Sequence, residues 1–557
     1  MKRFFAAGMM AAVLALGATA SAASPPSRAD VDQNSKAIQD YYRIEKRLKD
    51  AARAKDEPAP VVAPEEGERP QRQGGGRTLK VSKIVTGASE ILTPDEIKSV
   101  IGPLEGRVIS INELLDAVAR LNELYKEKGF LTARALLPPQ TVEKGVVTLK
   151  LVEGRIGAIR IDGSRHMNDG YLERSLTLKS GDLVRVDQLE TDLRLFMAAN
   201  NTPLVSEMVP GEDFGTTDLL IHVKEPKRLE ARLTADNLGR ENTGKGRGGM
   251  QVSARNLLGV ADVANLEWNQ SKGSRNLHME YGVPFNHRGT RMSLLYDQGD
   301  VEIKEGEFRD LNLEGDSRTI GVSFSHILWA RSRSQMTVFT GAQLKESESE
   351  SNGFSLYTSR VHDYNGGLDW QRFDGTGLWL THQEVTRGFS LNGTRENFWT
   401  LKGHVIRYQQ LPLDTTLLLK GIYQLSDTDM LPSTDQFQLG GMTTVRGYEE
   451  GLLVGDQGYL AIAEVEFPLP LEESFLGRPL RDQIRGLVFI DHGGAFPFKG
   501  NGEGYNANDY LTSFGAGLRM ALGERFSGRL IAGIPVGYQE GNRHDVRFHF
   551  TLQADLL

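Results

Sequence analysis

The sequence predicts a transmembrane β-barrel of sixteen antiparallel strands, preceded by two small α+β domains and an N-terminal helix. Three observations carry that prediction. From Arg228 to Leu557 apolar and polar residues alternate, segment after segment, with the same polarity. The connections between those segments alternate between short and long. Beyond the N-terminus no run of about 18 apolar residues occurs, so no spanning helix is expected.

The last segment is the clearest. Val546, Phe548, Phe550, Leu552, Ala554 and Leu556 lie on one face, and Asp545, Arg547, His549, Thr551, Gln553 and Asp555 on the other. Leu229, Ala231, Leu233 and Ala235 likewise oppose Arg228, Glu230, Arg232 and Thr234. An apolar face toward lipid and a charged face toward a wet lumen is what a spanning barrel requires. Closure also leaves no unpaired sheet edge in the bilayer. Sixteen such segments start near residues 228, 249, 262, 276, 290, 318, 335, 360, 376, 397, 414, 457, 484, 512, 526 and 545. Short turns such as Leu258-Gly259-Val260 and Leu411-Pro412-Leu413 mark one rim. Longer loops, 301–317, 346–358, 427–456 and 493–511, mark the other. The stretch 468–483 is a long connection on the short-turn side. The barrel is assigned residues 228–557.

Ahead of the barrel the chain reads in blocks. Lys2 and Arg3, the apolar run Phe4–Gly17 and the small-x-small site Ala20-Ser21-Ala22 form a secretory signal over residues 1–22. Residues 30–55 read as one helix with a narrow stripe of Ile38, Tyr41, Tyr42, Leu48 and Ala52. It is polar almost all round, which suits a water-filled space better than a core. Residues 56–77, with Pro58, Pro60, Pro64, Pro70 and Gly74-Gly75-Gly76, read as a linker.

Two domains follow, 78–153 and 154–227, sharing the order β-α-α-β-β. In the first, strand Leu79–Val85 leads to a short helix opened by Thr93-Pro94-Asp95-Glu96, a capping box with proline in the first turn. A longer helix, 110–128, ends at Gly129. Strands Leu131–Leu137 and Gly145–Val152 close the unit. The second repeats this with strand Ile156–Ile161, helices Asn168–Leu176 and Val186–Asn200, and strands Pro203–Val209 and Thr217–Val223.

The chemistry that remains is narrow. The net charge of −8 gives no support for a nucleic-acid partner. Absence of cysteine removes disulfide and thiolate chemistry. Gly239-Arg-Glu-Asn-Thr-Gly-Lys-Gly246 imitates a P-loop, but Gly246 stands where a Ser or Thr would hold Mg²⁺, and the stretch joins two strands. The eleven His show no metal-ligand spacing, and no nucleophile–base pair is legible. No enzyme activity, cofactor or metal is expected. The conspicuous stretch is Gln438-Leu-Gly-Gly-Met-Thr-Thr-Val-Arg-Gly-Tyr-Glu-Glu-Gly451, too rich in glycine for a helix. It lies in the sixth long loop. In the thirteenth segment, Gly486–Gly493, period-2 geometry puts Leu487, Phe489, Asp491 and Gly493 on the lumen face and Val488 and Ile490 on the lipid face.

Val445-Arg446-Gly447-Tyr448 resembles the lumenal hairpin tip of two-partner secretion transporters, the FhaC/ShlB/HecB-type family. Gly486–Gly493 resembles that family's strand motif with its Asp and Gly, and the repeated β-α-α-β-β unit resembles the POTRA domain. The resemblance covers essentially the whole mature chain. It implies that the sixth loop folds into the lumen and that Arg446 contacts Asp491. Glu464 and Glu466, which share a face on the neighbouring segment, are alternative partners. One departure is Leu557, where the family ends in an aromatic residue.

The resemblance implies an outer-membrane protein of a Gram-negative bacterium, with its POTRA-like domains in the periplasm. It would export a large β-helical exoprotein to the surface without ATP. The POTRA-like domains would recognise the substrate, the barrel conduct it, helix 30–55 plug the lumen and loop 438–451 control conformation. Its partners would be the exoprotein, the bilayer and, during biogenesis, the barrel-assembly machinery; a monomer suffices. A β-prone, unfolded cargo is best held by adding a strand to an open sheet edge. The strand carrying Leu131, Ala133, Ala135 and Leu137 is the candidate edge, because Pro138-Pro139 closes it. Two alternatives remain at this stage. An insertase of the same superfamily would carry more POTRA domains and no plug helix. A passive channel needs no periplasmic α+β domains.

Overall fold

The computed structural model describes residues 60–62, 78–306, 309–391, 397–429, 431–497, 509–537 and 545–557. The signal sequence, helix 30–55 and most of the linker lie outside the described residues.

The first α+β unit contains helices α1 (Pro94–Ile101) and α2 (Ile111–Glu127). Both open on reciprocal capping boxes, Thr93 with Glu96 and Ser110 with Glu113, which satisfy backbone donors that no helical bond reaches. Lys128, 2.7 Å from Glu96, and the Thr93 N–H hold the Glu96 carboxyl down at about 2. Helix α2 buries Leu114, Val118, Leu121 and Tyr125 against a sheet of order Lys83–Thr86, Val146–Val152, Arg134–Leu136. That last strand is shorter than the expected 131–137. Gly129 sits at φ +85°, and the Ala133 N–H turns back to the Phe130 carbonyl, so Leu131 stays in a turn. Leu137 lies just past the strand.

The second unit contains α3 (Asp169–Ser175) and α4 (Val186–Asn200). Its sheet runs in the order Val61–Val62, Leu204–Pro210, Thr216–Val223, Arg155–Asp162. The first of these strands belongs to the stretch expected to be all linker. Val61 and Val62 pair in parallel with Ser206 and Glu207, and the Ser206 N–H donates to the Pro60 carbonyl at 2.6 Å. Two β-branched residues beside an open edge are enough to recruit the chain.

The barrel closes with sixteen strands among the described residues, each paired to its neighbour in sequence order and the last to the first. They are β1 (Leu229–Asp236), β2 (Arg247–Arg255), β3 (Val263–Gln270), β4 (Ser274–Pro284), β5 (Thr290–Glu302) and β6 (Leu313–Arg331). Then come β7 (Ser334–Ser351), β8 (Phe354–Asp374), β9 (Gly377–Ser390), β10 (Phe398–Leu411) and β11 (Thr415–Ser426). The last five are β12 (Gln457–Pro468), β13 (Ile484–Phe496), β14 (Tyr510–Leu522), β15 (Phe526–Pro535) and β16 (Arg547–Asp555). The pleat sorts the faces: Val488, Ile490, Phe548 and Leu552 are exposed toward lipid, while Leu487, Phe489, Asp491 and His549 are buried inward.

Two connections differ from the reading of the sequence. Residues 346–358, expected as a loop, continue β7 and β8 into a tall hairpin with a two-residue tip, Asn352-Gly353. Above the bilayer the ladder can continue without apolar residues, and the Ser/Glu run provides it. The long turn 468–483 is an ordered hairpin, Ser474–Phe475 against Arg478–Pro479, followed by one helical turn. The Gln483 amide ties it together, donating to the Phe475 and Arg478 carbonyls and accepting from the Gly523 N–H of the next turn.

The second α+β unit is docked on the barrel. Arg291, at the start of β5, donates to the Ala199 carbonyl and the Asn200 side chain of α4, and to the carbonyls of Ala261 and Gly282 in the barrel. The Asn168 N–H donates to the Gly259 carbonyl, in the short turn between β2 and β3, at 2.8 Å.

Candidate functional site: the lumenal loop

The loop between β11 and β12 folds into the lumen, because its residues cannot stay outside. Leu439, Val445 and Tyr448 are buried with Leu460, Ala495 and Leu511 of the wall. Met442 packs with Leu238, Leu487, Phe489 and Ile531. A short pair, Phe437–Leu439 with Leu453–Gly455, forms its stem. The tip needs glycine. Gly440, Gly441 and Gly447 lie at φ of +109°, +98° and +95°. A Cβ on Gly447 would stand 2.8 Å from the Gly533 carbonyl carbon on β15.

Arg446 is the centre of the site. Its Nε and Nη2 donate to the two oxygens of Asp491 at 2.8 and 2.7 Å, and its backbone N–H donates to the same carboxylate at 3.0 Å. Its Nη1 donates to Glu464, and the guanidinium carbon stands 3.5 Å over the Phe489 ring. Asp491 is 0% exposed and Glu464 2%. Arg446 thus faces two carboxylates on two adjacent strands, shielded from water, and Arg529 on β15 stands 3.7 Å from the second of them, Glu464. Removing a single partner from such a cluster costs about 3–5 kcal/mol. The planar fork is what allows three directions to be met at once.

The neighbours complete the seat. The Gly447 N–H donates to His549 Nε2 on β16 at 3.2 Å, and the Tyr448 hydroxyl donates to the Thr512 carbonyl at 2.9 Å. Gly493 lacks a Cβ where one would stand 2.6 Å from the Tyr459 carbonyl and 3.0 Å from Leu439 of the loop. Glu466 does not touch Arg446: it pairs with Arg519 at 2.9 Å and shares Arg529, 3.7 Å away, with Glu464. Glu464, read as an alternative to Asp491, is a co-partner. Ala133 and Ala135, in the first α+β unit, have side chains buried in that unit's core.

Several residues went unnoticed in the sequence. Asp236 and Arg247 are register partners across the β1–β2 hairpin and form a bidentate pair at 2.8 and 2.9 Å. Arg240, in the same hairpin loop, reaches Gln438 of the lumenal loop at 3.3 Å. Opposite charges flanking the 237–246 loop were the available signal for the first pair. Lys345 on β7 lies 2.5 Å from Asp363 on β8 and 2.7 Å from Asp435 in the loop's leg. Gln424 on β11 donates to the carbonyls of Asp435 and Asp456, stitching the two legs together. No local signal links Lys345 to a residue ninety positions away. Among the described residues, no group of His, Asp and Glu is arranged to hold a metal.

A closed outer-membrane-type barrel, two POTRA-type units before it and a loop ion-paired inside the lumen define a transporter of the outer membrane. The model of the haemolysin secretion/activation protein family ShlB/FhaC/HecB matches residues 215–520, and that of the ShlB-type POTRA domain matches residues 79–154. The chain belongs to the ShlB/FhaC/HecB family, the outer-membrane transporters of two-partner secretion, with their POTRA domains in the periplasm. It is 23% identical over 481 residues to the heme/hemopexin transporter protein HuxB of Haemophilus influenzae, covering 81% of this chain and 82% of that one. It is 22% identical over 577 residues to the outer membrane transporter CdiB of Escherichia coli, covering 97% and 91%. The solved structure of CdiB from Escherichia coli matches with a TM-score of 0.70 at 19% identity, over 96% of this chain and all of that one.

Proposed function

We propose that this transporter captures its secreted partner as an extended chain on the first POTRA unit, conducts it through the barrel, and admits it by moving loop 438–451. The observation that carries the reading is the Arg446 cluster. Sixteen paired strands need no ion pair in the lumen to stay closed. A loop seated by directional polar contacts can be released when other polar groups or water replace them, a trade that apolar packing does not offer. The partner is a protein that folds into a β-helix only after export. Helix 30–55 fills the remaining lumen before export begins. The barrel acts as a monomer, reaches the membrane through the barrel-assembly machinery and carries no enzymatic activity. The matched family is one of secretion proteins, which disfavours insertion of other barrels as its task.

The test is a pair of deletions in the full-length protein. Deleting 79–152 abolishes appearance of the secreted partner while the barrel still inserts and conducts. Deleting 30–55 raises single-channel conductance in planar bilayers and leaves secretion largely intact. Unimpaired secretion after the first deletion overturns POTRA capture, and unchanged conductance after the second overturns the plug.

A further inference from the structure

The edge strand Arg134–Leu136 is not bare. Ala135 pairs with Leu151 on its inner side. Its own N–H is donated to the side chain of Asn122, at 2.6 Å to Oδ1, and Asn122 Nδ2 faces the Ala135 carbonyl at 3.4 Å. Asn122 lies in the middle of α2, where an amide side chain does nothing for the helix itself. One primary amide thus both accepts from and donates to a single edge residue. A residue of an added strand does the same with its backbone.

One other place is closed the same way: on Val146–Val152, past the end of Arg134–Leu136, the Gln140 amide accepts from the Thr148 N–H and donates to the Thr148 carbonyl, both at 2.8 Å. Three other edges are closed differently. Leu204–Pro210 in the second unit is covered by the backbone of Val61–Val62. Arg155–Ile156 is met by the backbone of residues 181–184. On Lys83–Thr86 the Ile84 N–H is taken by the Glu105 carboxylate at 2.8 Å, a group that accepts but cannot donate. At Ala135 the closure is a side chain that imitates a peptide group and can swing away by side-chain rotation alone.

We propose that Asn122 is a placeholder for the secreted chain. Its amide keeps the Ala135 N–H and C=O satisfied while the edge is empty, and an incoming extended polypeptide displaces it. The exchange conserves hydrogen bonds, so release has little cost. It also keeps the edge from pairing with chains that cannot displace the amide. This inference rests on the reading that the first POTRA unit captures an extended chain.

The experiment uses the full-length protein in lipid nanodiscs and a fluorescent eight-residue peptide of alternating Thr and Val as the strand probe. Asn122→Ala removes the competitor, so probe affinity rises by roughly three- to tenfold. At the same time the Ala135 amide loses its hydrogen-exchange protection without probe and regains it with probe. A residue that merely stabilises the fold would lower affinity or leave it unchanged when removed. Asn122→Asp preserves size and still accepts from Ala135 N–H but cannot donate, and its stronger charged acceptor lowers probe affinity below that of the natural protein. Unchanged or weaker binding by Asn122→Ala, or an Ala135 amide that stays protected in that variant, overturns the placeholder. Ala135→Pro separates the two readings. If it abolishes probe binding while Asn122→Ala changes nothing, edge capture stands and the placeholder falls. If Ala135→Pro leaves binding intact, edge capture itself falls, and the placeholder with it.

Discussion

Arg446 and Asp491 are joined three times over: twice through the guanidinium, at 2.8 and 2.7 Å, and once through the Arg446 backbone N–H at 3.0 Å. The backbone bond fixes the tip of the loop on β13 independently of the side chain, and the side chain then reaches β12 through Glu464. The pair is therefore a seat with two strands in it.

Arg446→Ala is expected to reduce secretion most, because it takes the guanidinium from Asp491 and Glu464 together, leaving Asp491 the backbone N–H of residue 446 and Glu464 only the more distant Arg529, 3.7 Å away, at about 3–5 kcal/mol to the seated loop. Asp491→Ala reduces it less, since Glu464 still faces the guanidinium. The double variant is no worse than Arg446→Ala. Arg446→Lys gives little rescue, as a point charge cannot meet three directions. Glu466→Gln is mild, its nearest partner being Arg519, with Arg529 and Arg485 farther off, and none of them Arg446. The measurement is partner protein in the medium, normalised to barrel that runs as the folded form on unheated gels. Additive losses from Arg446 and Asp491 would mean that the two act separately.

Gly447→Ala tests the seat without touching charge. The new Cβ meets the β15 backbone at 2.8 Å, and a non-glycine residue must hold φ +95°. Backbone cannot yield as a side-chain end can, so the tip lifts. Secretion falls toward the Arg446→Ala level. Gly533→Ala does the same from the other side, where its Cβ would stand 2.5 Å from the Gly447 nitrogen. Gly246→Ala, with nothing within 4 Å of the added atom, serves as the control and leaves secretion unchanged.

The sequence made some of this legible, for physical reasons. Inside the bilayer each strand is sorted by lipid on one face and water on the other, so Phe548 and Arg547 declare their faces by chemistry alone. The same parity puts Asp491 in the lumen. It cannot choose between Glu464 and Glu466, which share a face two residues apart; only the depth of the loop tip decides, and that depends on packing by Leu439 and Val445. Above the bilayer the contrast vanishes, so the Ser/Glu run at 346–351 could be read as a loop although its ladder continues. Asn122 was invisible because its role depends on how α2 is rotated over a strand thirteen residues away.

Glu225 makes the joint between the second POTRA unit and the barrel pH-sensitive. Burial works to raise its pKa, but the N–H groups of Met167 and His166, the His166 ring and the Arg165 N–H outweigh it and hold the carboxyl below its ordinary value of 4.5. A depressed folded pKa contributes stability that is present above the unfolded value and lost as pH falls through the folded one. Amide protection at residues 165–167 should therefore hold from neutral pH down to 4.5 and decline only below it. Glu225→Gln should lose about 1–3 kcal/mol of local protection already at neutral pH, with no such acid step. Hydrogen exchange of the intact protein across the pH range reads both. A decline that begins well above 4.5 would assign the joint to another group.

Lys345 holds the other end of the loop. Its ammonium bridges Asp363 of the wall and Asp435 of the leg, at 2.5 and 2.7 Å, and Lys402 lies 3.6 Å from the same Asp435 oxygen. Asp435 is 1% exposed, so its charge depends on these lysines. The leg is thus fixed on the wall of β7, β8 and β10, and the tip on β12, β13, β15 and β16. Lys345→Met leaves two buried carboxylates facing each other with only the more distant Lys402 beside them, and their repulsion loosens the leg from the wall. Arg446 then loses its register even though its own partners are intact. Because the chain has no native cysteine, Met442→Cys reports this directly: the side chain is buried under the seated loop. In cells, an impermeant maleimide should label it about tenfold faster in the Lys345→Met background than in the parent. Asp435→Asn, which keeps the Lys345–Asp363 pair, should give a smaller increase in the same direction. Labelling at the parental rate in both backgrounds, with secretion retained, would show that the tip alone holds the loop.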